Sequence, residues 1–360
     1  MNKGMALILI SALFFCCFSQ AASNSAAPVF SLAWSEWPGW SVFGVAHEIG
    51  LIDGASGKMG PVEKQYNVDI ELKEMEYDPC IAAYGAGQVD AACLTNMDTL
   101  PCCGGRSSVA ILPNDTSNGG DMCITIGINR VEDLKGKTVY GLEKSVSQYL
   151  FSRYLEMKNI PENDVKWVNM DPGAAALAMQ QGNKQYEAIV VWNPFCLQTL
   201  NTRKDAKVLF DSSAIPGEIV DMVVVAKDSL AREGGDNFGL AVVDTYFKVM
   251  QRLEDPKTAY QTLVMIGEKF SNLDLEQMKK VRQGTKYITT AEEALNFFRS
   301  HEFTRTMVKV IDFCVSHQVI EKAPVWGGGD YRYLDDTDMI FDHTFVRRIA
   351  EAGKSGKAKP

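Results

Sequence analysis

Three tryptophans and a carboxylate stand close together near the start of the chain. Trp34, Ser35, Glu36, Trp37 and Trp40 fall within one short stretch, after an apolar run and before a helical pattern. A turn so rich in indole rings is costly in water unless the rings cover something. Indole faces bind cations, and a carboxylate supplies the opposite charge. The stretch predicts an aromatic wall for a small ligand, and packing of the rings between turn and sheet is the alternative.

Two pairs of short polar side chains stand at predicted helix starts further along the chain. Thr95 and Asn96 follow one apolar run, and Ser145 and Ser147 open a later helix. Free backbone amides and the positive end of the helix dipole suit an anionic or strongly polar group at such positions. Capping of the helix is the alternative role for each pair.

The last candidates follow later apolar runs. Trp192 and Asn193 come directly after one run, and Trp192 is expected to close the site opposite the first turn. Asp171 and Asp221 stand at the ends of neighbouring predicted strands. No Ser-His-Asp or Cys-His order is readable along the chain, so these residues predict binding rather than catalysis.

Alternating strands and helices must position these turns. Predicted strands lie near residues 29–34, 68–75, 91–94, 108–112, 137–140, 165–169, 188–191 and 220–225. Helical patterns separate most of them, which predicts an α/β protein with mainly parallel sheets. Ligands bind outside the carboxyl ends of strands in such sheets, so the turns are expected to meet there.

Two further patterns concern the helices. Asp78-Pro79 is typical of a helix start, with Asp78 accepting the free amides. The segment from Asp236 to Ala352 carries apolar residues at helical spacing and is predicted to be helical.

Composition excludes several classes of protein. Hydrophobic residues make up 46% of the 360 residues and charged residues 22%, as in ordinary globular proteins. The net charge is −9 and there is no basic run, which argues against a nucleic-acid partner. Beyond the N-terminal segment, no stretch approaches the roughly 18 apolar residues of a membrane span.

The N-terminal segment is typical of a secretory signal peptide. Lys3 precedes an uncharged apolar stretch from Ala6 to Phe18, and Ser19 to Ala21 supplies small residues for cleavage. Export places the mature chain in the periplasm. Cys16 and Cys17 leave a lipid anchor as the alternative.

Seven cysteines remain after the predicted cleavage. Export permits disulfides, but an odd number of cysteines cannot all pair within one chain. Cys102-Cys103 is the only close pair, and two adjacent thiols ligate one ion poorly. We expect buried thiols, with one disulfide as an alternative, and neither a metal ion nor a cofactor.

Four ordered motifs carry a family resemblance. They are Val45–Ile52, Ala86–Ala92, Val131–Val139 and Val190–Phe195. In this order and spacing the chain, from about residue 29 to 230, resembles the periplasmic binding components of nitrate, sulfonate, taurine and thiamine-precursor ABC importers. Asn193 departs from the family pattern, which usually has Glu there, and the triple-tryptophan turn is unusual. These departures leave the solute open.

The resemblance implies a type II periplasmic-binding-protein fold with two α/β lobes and the ligand between them. Residues 1–21 are the expected signal peptide, 22–119 with 225–360 the first lobe, and 120–224 the second. Two hinge crossings are implied, near residues 118–122 and 220–224. The implied partners of this monomer are a small solute and an ABC permease with its ATPase.

Two ligand classes compete for the cleft. The family implies a small polar or anionic solute, bound by helix starts and hydroxyls, although Lys144 and Arg106 are the only cations near the turns. An aromatic box of tryptophans with Glu36 or Asp98 would instead bind a quaternary amine or an amide.

A sensor input domain and an enzyme are the remaining alternatives. The fold also serves a thiamine-pyrimidine synthase, which the chain resembles more distantly. That enzyme needs a reactive lysine and histidine in the cleft, whereas His47 is predicted to lie within a helix.

Overall fold

The computed structural model describes residues 26–271 and 273–355, which form two β-sheets flanked by helices. The predicted signal peptide, with Cys16 and Cys17, lies outside the described residues. The strands are β1 (Val29–Trp34), β2 (Asp69–Glu74), β3 (Ala91–Thr95), β4 (Ser108–Ser117), β5 (Asp121–Ile126), β6 (Thr138–Gly141), β7 (Lys166–Asn169), β8 (Ala188–Trp192), β9 (Ala206–Asp211), β10 (Val220–Ala226), β11 (Thr285–Tyr287), β12 (Trp326–Gly328) and β13 (Met339–Phe341).

Helices cover both sheets and make up most of the C-terminal third of the chain. They are α1 (Ser41–Glu48), α2 (Pro61–Tyr66), α3 (Tyr77–Gly85), α4 (Thr99–Cys103), α5 (Val146–Met157), α6 (Pro172–Gln180), α7 (Phe195–Thr202), α8 (Lys227–Ala231), α9 (Gly235–Glu254), α10 (Ala259–Ser271), α11 (Leu275–Gln283), α12 (Ala291–Phe298), α13 (His301–Ser316) and α14 (Thr344–Ser355). Among the described residues, no helix combines the length and apolar character needed to cross a bilayer.

The larger sheet has the strand order β12-β13-β4-β10-β3-β1-β2, with β11 paired to β4. The first three strands of the chain are parallel, whereas β10 is antiparallel to both β3 and β4. In this register Asp221 of β10 lies opposite both Thr95 and Asp115. Tyr287 of β11 pairs with Asp115 and extends the row. The sheet thus lines up four polar side chains across four strands.

The smaller sheet has the order β7-β6-β8-β5-β9. The strands β6, β7 and β8 are parallel, and β5 is antiparallel to β8 and β9. Asp121, the first residue of β5, pairs with Trp192 at the end of β8. Both residues therefore stand at the edge of the smaller sheet that faces the larger one.

The chain crosses between the sheets twice, from β4 to β5 and from β9 back to β10. Ser212 joins the two crossings, because its Oγ lies 2.8 Å from Ser117 Oγ and accepts a hydrogen bond from Gly119 N at 2.7 Å. The crossings fall close to the segments where the resemblance implies hinges. The exact lobe boundaries stay a prediction.

A charged cluster joins helices on the two sides of the crossings. Glu218, just before β10, accepts hydrogen bonds from Tyr149 (2.6 Å) and Arg153 (3.0 Å) of α5 and from Lys309 (2.5 Å) of α13. Burial opposes ionisation of Glu218, but these hydrogen bonds outweigh it and hold its pKa at about 2. The carboxylate is therefore charged at neutral pH and fixes α5 against α13.

The structure differs from the sequence-based elements in three respects. The prediction omitted β5 and β9, and the C-terminal segment predicted to be helical contains β11, β12 and β13. These last strands have three residues each, too few to show an alternating pattern. The predicted cap at Asp78 is wrong, because α3 begins at Tyr77 with Glu76 in the cap position and Asp78 falls within its first turn.

The seven cysteines of the described residues are all buried free thiols. Burial raises the pKa of each; those of Cys80 and Cys102, for example, reach about 12 and about 11. These thiols stay protonated at neutral pH and pack as small apolar groups.

A substitution at Gly239 tests how tightly α9 packs against α14. A Cβ there would lie 2.4 Å from a ring carbon of Phe345, so Gly239→Ala forces the ring to move. We expect Gly239→Ala to lower the free energy of unfolding by about 1–3 kcal/mol, since overpacking outweighs the better helix propensity of alanine. Urea titration monitored by circular dichroism measures the change.

Gly353 in α14 provides the control. A Cβ at this exposed position would meet no atom within 4 Å, so Gly353→Ala should leave stability unchanged or raise it by up to about 1 kcal/mol. Equal stabilisation by both substitutions would show that the α9–α14 contact is loose.

Candidate ligand-binding site

A small cavity lies between the two sheets, at the carboxyl ends of β1, β3 and β8. Its volume is about 30 Å³. Its lining residues are Ser35, Glu36, Trp37, Trp40, Tyr77, Thr95, Asp121, Ser145, Val146, Trp192, Ile219 and Asp221. Both sheets contribute, because Trp192 and Ser145 belong to the smaller-sheet part and the first turn to the larger.

Eight of the residues singled out from the sequence line this cavity. They are Ser35, Glu36, Trp37, Trp40, Thr95, Ser145, Trp192 and Asp221. Four others, Trp34, Asn96, Ser147 and Asn193, lie outside the lining.

The four outside residues have local surroundings of their own. The Trp34 ring packs under α1, where a Cβ on Gly44 would lie 3.0 Å from it. Asn96 is held by β10, since its amide donates to Glu218 O and accepts from Val220 N. Ser147 is fully buried and donates its backbone N–H to Ser145 Oγ. Asn193 N donates to Gly120 O at the first crossing, at 2.9 Å.

Four aromatic rings form one wall of the cavity. Trp40 stacks on Tyr77 with ring centroids 5.3 Å apart, and Trp37 lies 6.4 Å from Trp40. Trp192 comes from the other sheet and meets Tyr77 edge-on at 6.4 Å. The rings are therefore continuous across the two halves of the cavity.

Gly39 and Gly120 leave room for the Trp37 ring and for Asp115, its hydrogen-bond partner. Trp37 donates from Nε1 to Asp115 Oδ1 at 3.0 Å. A Cβ on Gly39 would lie 1.7 Å from Asp115 Oδ2, and one on Gly120 would lie 2.9 Å from the Trp37 ring. No larger residue fits at either position while this hydrogen bond is kept.

Asp98 is buried behind the aromatic wall and holds Tyr77 in place. Its Oδ2 accepts from Tyr77 Oη at 2.7 Å and from Thr95 Oγ1 at 2.7 Å. Burial raises the pKa of Asp98 to about 6, although both hydrogen bonds favour the ionised form. The Thr95 hydroxyl is thus already committed to a carboxylate.

Three more aspartates meet at the floor of the cavity. Burial raises the pKa of Asp121 to about 7 and also raises those of Asp115 and Asp221. Carboxylates add to the effect on Asp221, where the strongest charge interactions come from Asp115, Asp121 and Asp98. Glu36 stands in the first turn, and burial raises its pKa as well. The cavity therefore concentrates acidic groups whose ionised forms are disfavoured by burial and by one another.

The cations that could balance these acidic groups are engaged elsewhere. Lys144 Nζ donates to Gln318 O at 2.9 Å, and Arg106 donates to Tyr84 O and Val89 O, both at 2.7 Å. Among the described residues, none that lines the cavity is a lysine, arginine or histidine. The acidic side chains also do not form a metal centre, because the described residues contain no group of three or more His, Cys, Asp or Glu placed to hold an ion.

Comparison with known proteins identifies the fold. Residues 123–239, less than half of the chain, match the family model described as NMT1/THI5 like. The periplasmic aliphatic sulphonate binding protein SsuA of Escherichia coli superposes with a TM-score of 0.62 at 18% identity, covering 82% of this chain and 94% of its own. The chain has the periplasmic-binding-protein fold. No curated protein matches the sequence.

Two further solved structures share this fold. The alkanesulfonate-binding protein SsuA from Xanthomonas axonopodis pv. citri, bound to MOPS, gives a TM-score of 0.65 at 15% identity, covering 83% of this chain and 96% of its own. A Candida albicans protein described as having the generic periplasmic binding protein fold gives 0.58 at 12% identity, covering 82% and 92%. These matches confirm the resemblance indicated by the sequence motifs, at the level of fold.

Several lining residues of this periplasmic-binding-protein fold were missed by sequence reasoning. They are Tyr77, Asp121, Val146 and Ile219, and Asp115 stands directly behind them. Asp115 belongs to a polar run at the end of β4, Asn114 to Ser117, which is unusual in a buried strand. That run was the available signal, since buried polar residues mark function more often than packing.

The buried aspartates predict an unusual dependence of stability on pH. In the unfolded chain their carboxyl groups ionise near pH 4, but in the folded chain Asp98 ionises near pH 6 and Asp121 near pH 7. Their stabilisation is complete below pH 4 and is lost as the pH rises through these folded values. We expect the melting temperature of the ligand-free protein to fall between pH 5 and 8.

Asp121→Asn isolates one of these groups. The amide keeps the shape of the side chain but does not titrate, so the variant should lose less stability over the same range, by on the order of 3 kcal/mol. Scanning calorimetry at intervals of half a pH unit compares the two proteins. Identical pH profiles would show that Asp121 ionises normally.

Proposed function

We propose that the protein is an extracytoplasmic solute-binding protein that captures a small organic cation in this cavity and delivers it to an ABC import permease. The proposal rests on a cavity in which one wall is made of aromatic rings and every acidic or basic side chain is a carboxyl group. Export through the predicted signal peptide, and the fold shared with periplasmic binding proteins, support the location and the transport role.

The aromatic and acidic groups complement a cation in two ways. Ring faces such as those of Trp37, Trp40 and Trp192 carry negative potential, and a desolvated cation over one of them gains roughly 2 kcal/mol. Glu36, Asp121 and Asp221 are carboxyl groups that can ionise beside a bound cation, and Coulomb attraction in a buried site is stronger than in bulk solvent. A cation also relieves the mutual repulsion of the carboxylates.

An anion such as a sulfonate, nitrate or taurine is the second candidate. It is favoured by the start of α5, where Ser145 and Val146 line the cavity. However, the Ser145 hydroxyl already donates to Leu142 O and accepts from Ser147 N, and the Thr95 hydroxyl donates to Asp98. An anion would also lie beside Asp121 and Asp221, which repel it.

The enzyme alternative finds little support in the cavity. His47 is exposed on α1, and its ring faces Gly54 rather than the cavity lining. Within the described residues, the lining contains neither a lysine nor a cysteine that could act as a nucleophile.

Thermal-shift measurements with matched salts test the ligand class. We expect alkylammonium chlorides to raise the melting temperature, since a ligand at a hundred times its Kd adds about 2.7 kcal/mol of stability. Potassium chloride at the same ionic strength is the control. If only methanesulfonate, nitrate or taurine raised the melting temperature, the ligand would be an anion and the proposed cation would be wrong.

Two variants test the site. Trp37→Ala should weaken binding of the responding cation by about tenfold or more, through the loss of one cation–π contact. Asp221→Asn should weaken it by a similar factor, because the variant removes a formal charge at the cavity. Asp133→Asn, on an exposed carboxylate paired with Arg130, is the matched control and should bind normally. Isothermal titration calorimetry gives each Kd, and unchanged binding in both site variants would place the ligand elsewhere.

A further inference from the structure

The row of polar side chains across the larger sheet contains a pair of carboxyl groups placed face to face. Asp115 and Asp221 are direct partners in the antiparallel β4–β10 pair, and both are buried. Like charges at directly opposite positions destabilise a sheet. The two carboxyl groups are also within hydrogen-bond reach of each other, and such a bond requires that one of them carries a proton.

The proton that the pair shares is the donor its buried oxygens need. Asp115 Oδ1 accepts from Trp37, but no other side chain or backbone group in the described part of the chain donates to Asp115 Oδ2 or Asp221 Oδ2. Asp221 is 2% exposed and lines the cavity, so its carboxyl group is the member of the pair that a ligand can reach. A buried acceptor without a donor is costly, so once the shared proton leaves, water or a ligand must donate to Asp221.

The other titratable groups around the pair do not supply that donor. Asp121 of β5 and Asp98, before α4, are acceptors when ionised, and Glu36 of the first turn is a further carboxylate. Tyr77 donates to Asp98, and Tyr246 of α9 donates to Asn114 O. Tyr287 of β11 and Cys93 of β3 are also buried near the pair, and burial raises the pKa of both.

We propose that the ligand is a cation that carries N–H donors, and that it binds in exchange for the proton shared by Asp115 and Asp221. This inference rests on the proposed function and specifies the chemistry of the same cavity. One N–H group donates to the carboxylate of Asp221 while the cationic charge replaces that of the proton. The displaced proton goes to solvent, so the total charge of the buried cluster is unchanged.

The requirement for N–H donors separates two kinds of organic cation. A quaternary ammonium gains the aromatic contacts but excludes water from the Asp221 carboxylate without donating a hydrogen bond to it. A site with a buried polar group discriminates strongly against a ligand that leaves the group unpaired. The proposal therefore favours protonated amines over their fully methylated counterparts.

The methylammonium series tests this requirement on the wild-type protein. Methyl-, dimethyl-, trimethyl- and tetramethylammonium keep the same charge and lose N–H groups one at a time. We expect Kd, measured by calorimetry at pH 7, to rise by at least about tenfold between tri- and tetramethylammonium, where the last donor is lost. Equal or tighter binding of tetramethylammonium overturns the N–H requirement but leaves the cation site standing. Binding of no member of the series overturns both.

Proton release tests the exchange. Titration of the protein with methylammonium in weakly buffered solution at pH 6.5, followed with a pH electrode, should release up to one proton per bound cation. Because the cation favours the ionised pair, its affinity should rise several-fold from pH 5.5 to 7.5. Absence of both release and pH dependence overturns the exchange.

Asp115→Asn separates the shared proton from the ligand contact. The amide can donate to Asp221 and still accept from Trp37, so methylammonium should bind without releasing a proton and with a flat pH profile. Asp133→Asn is the control that keeps the wild-type release, and a melting curve for each variant reports folding. Undiminished release in folded Asp115→Asn would show that the proton comes from another group.

Discussion

The burial of Asp115 and Asp221 on adjacent strands is the constraint around which the site is built. Both are buried near the points where the chain crosses between the sheets. Two carboxylates cannot both stay ionised there without compensation, because desolvation and mutual repulsion act in the same direction. The Trp37 hydrogen bond compensates one oxygen, and it requires glycine at positions 39 and 120. The aromatic turn, the close backbone contacts and the charge of the cavity thus follow from one arrangement of carboxyl groups.

Much of the fold was predictable, because alternating apolar runs and helical patterns are local properties of the chain. β1 was predicted with the bounds that the structure shows, β3 and β8 end one residue later than predicted, and β6 is shifted by one residue. The strands β5 and β9 were missed, although β5 is an interior strand of the smaller sheet and pairs with both β8 and β9. The short strands β11 and β13 pair with β4, and β12 pairs with β13. These pairings join segments distant in the sequence, so a local pattern of residues does not predict them.

The parts of the candidate site that lie in turns were predictable from the sequence. The parts that depend on how two strands are aligned with each other were not. Turns after parallel strands meet at one edge of a sheet, so Trp37, Thr95 and Trp192 could be placed together from the sequence. Asp115 lies within a strand, and its meeting with Asp221 depends on how β4 pairs with β10. The two ligand classes could not be separated from the sequence for the same reason. The sequence showed hydroxyls and helix starts, whereas only the fold shows that the hydroxyls already serve as partners of Asp98 and Leu142.

The contacts across the crossings explain how binding in the cavity can be coupled to the arrangement of the two halves. Glu218 directly precedes β10, the strand of Asp221, and its carboxylate fixes α5 against α13. A second contact joins the two halves of the molecule, since His317 Nε2 lies 2.9 Å from Glu162 Oε2. The cavity between the same two halves holds carboxyl groups whose ionisation is opposed by burial and by mutual repulsion. Under the proposed function, a bound cation relieves that repulsion, so the free energy of binding would favour the arrangement in which both halves contact the ligand.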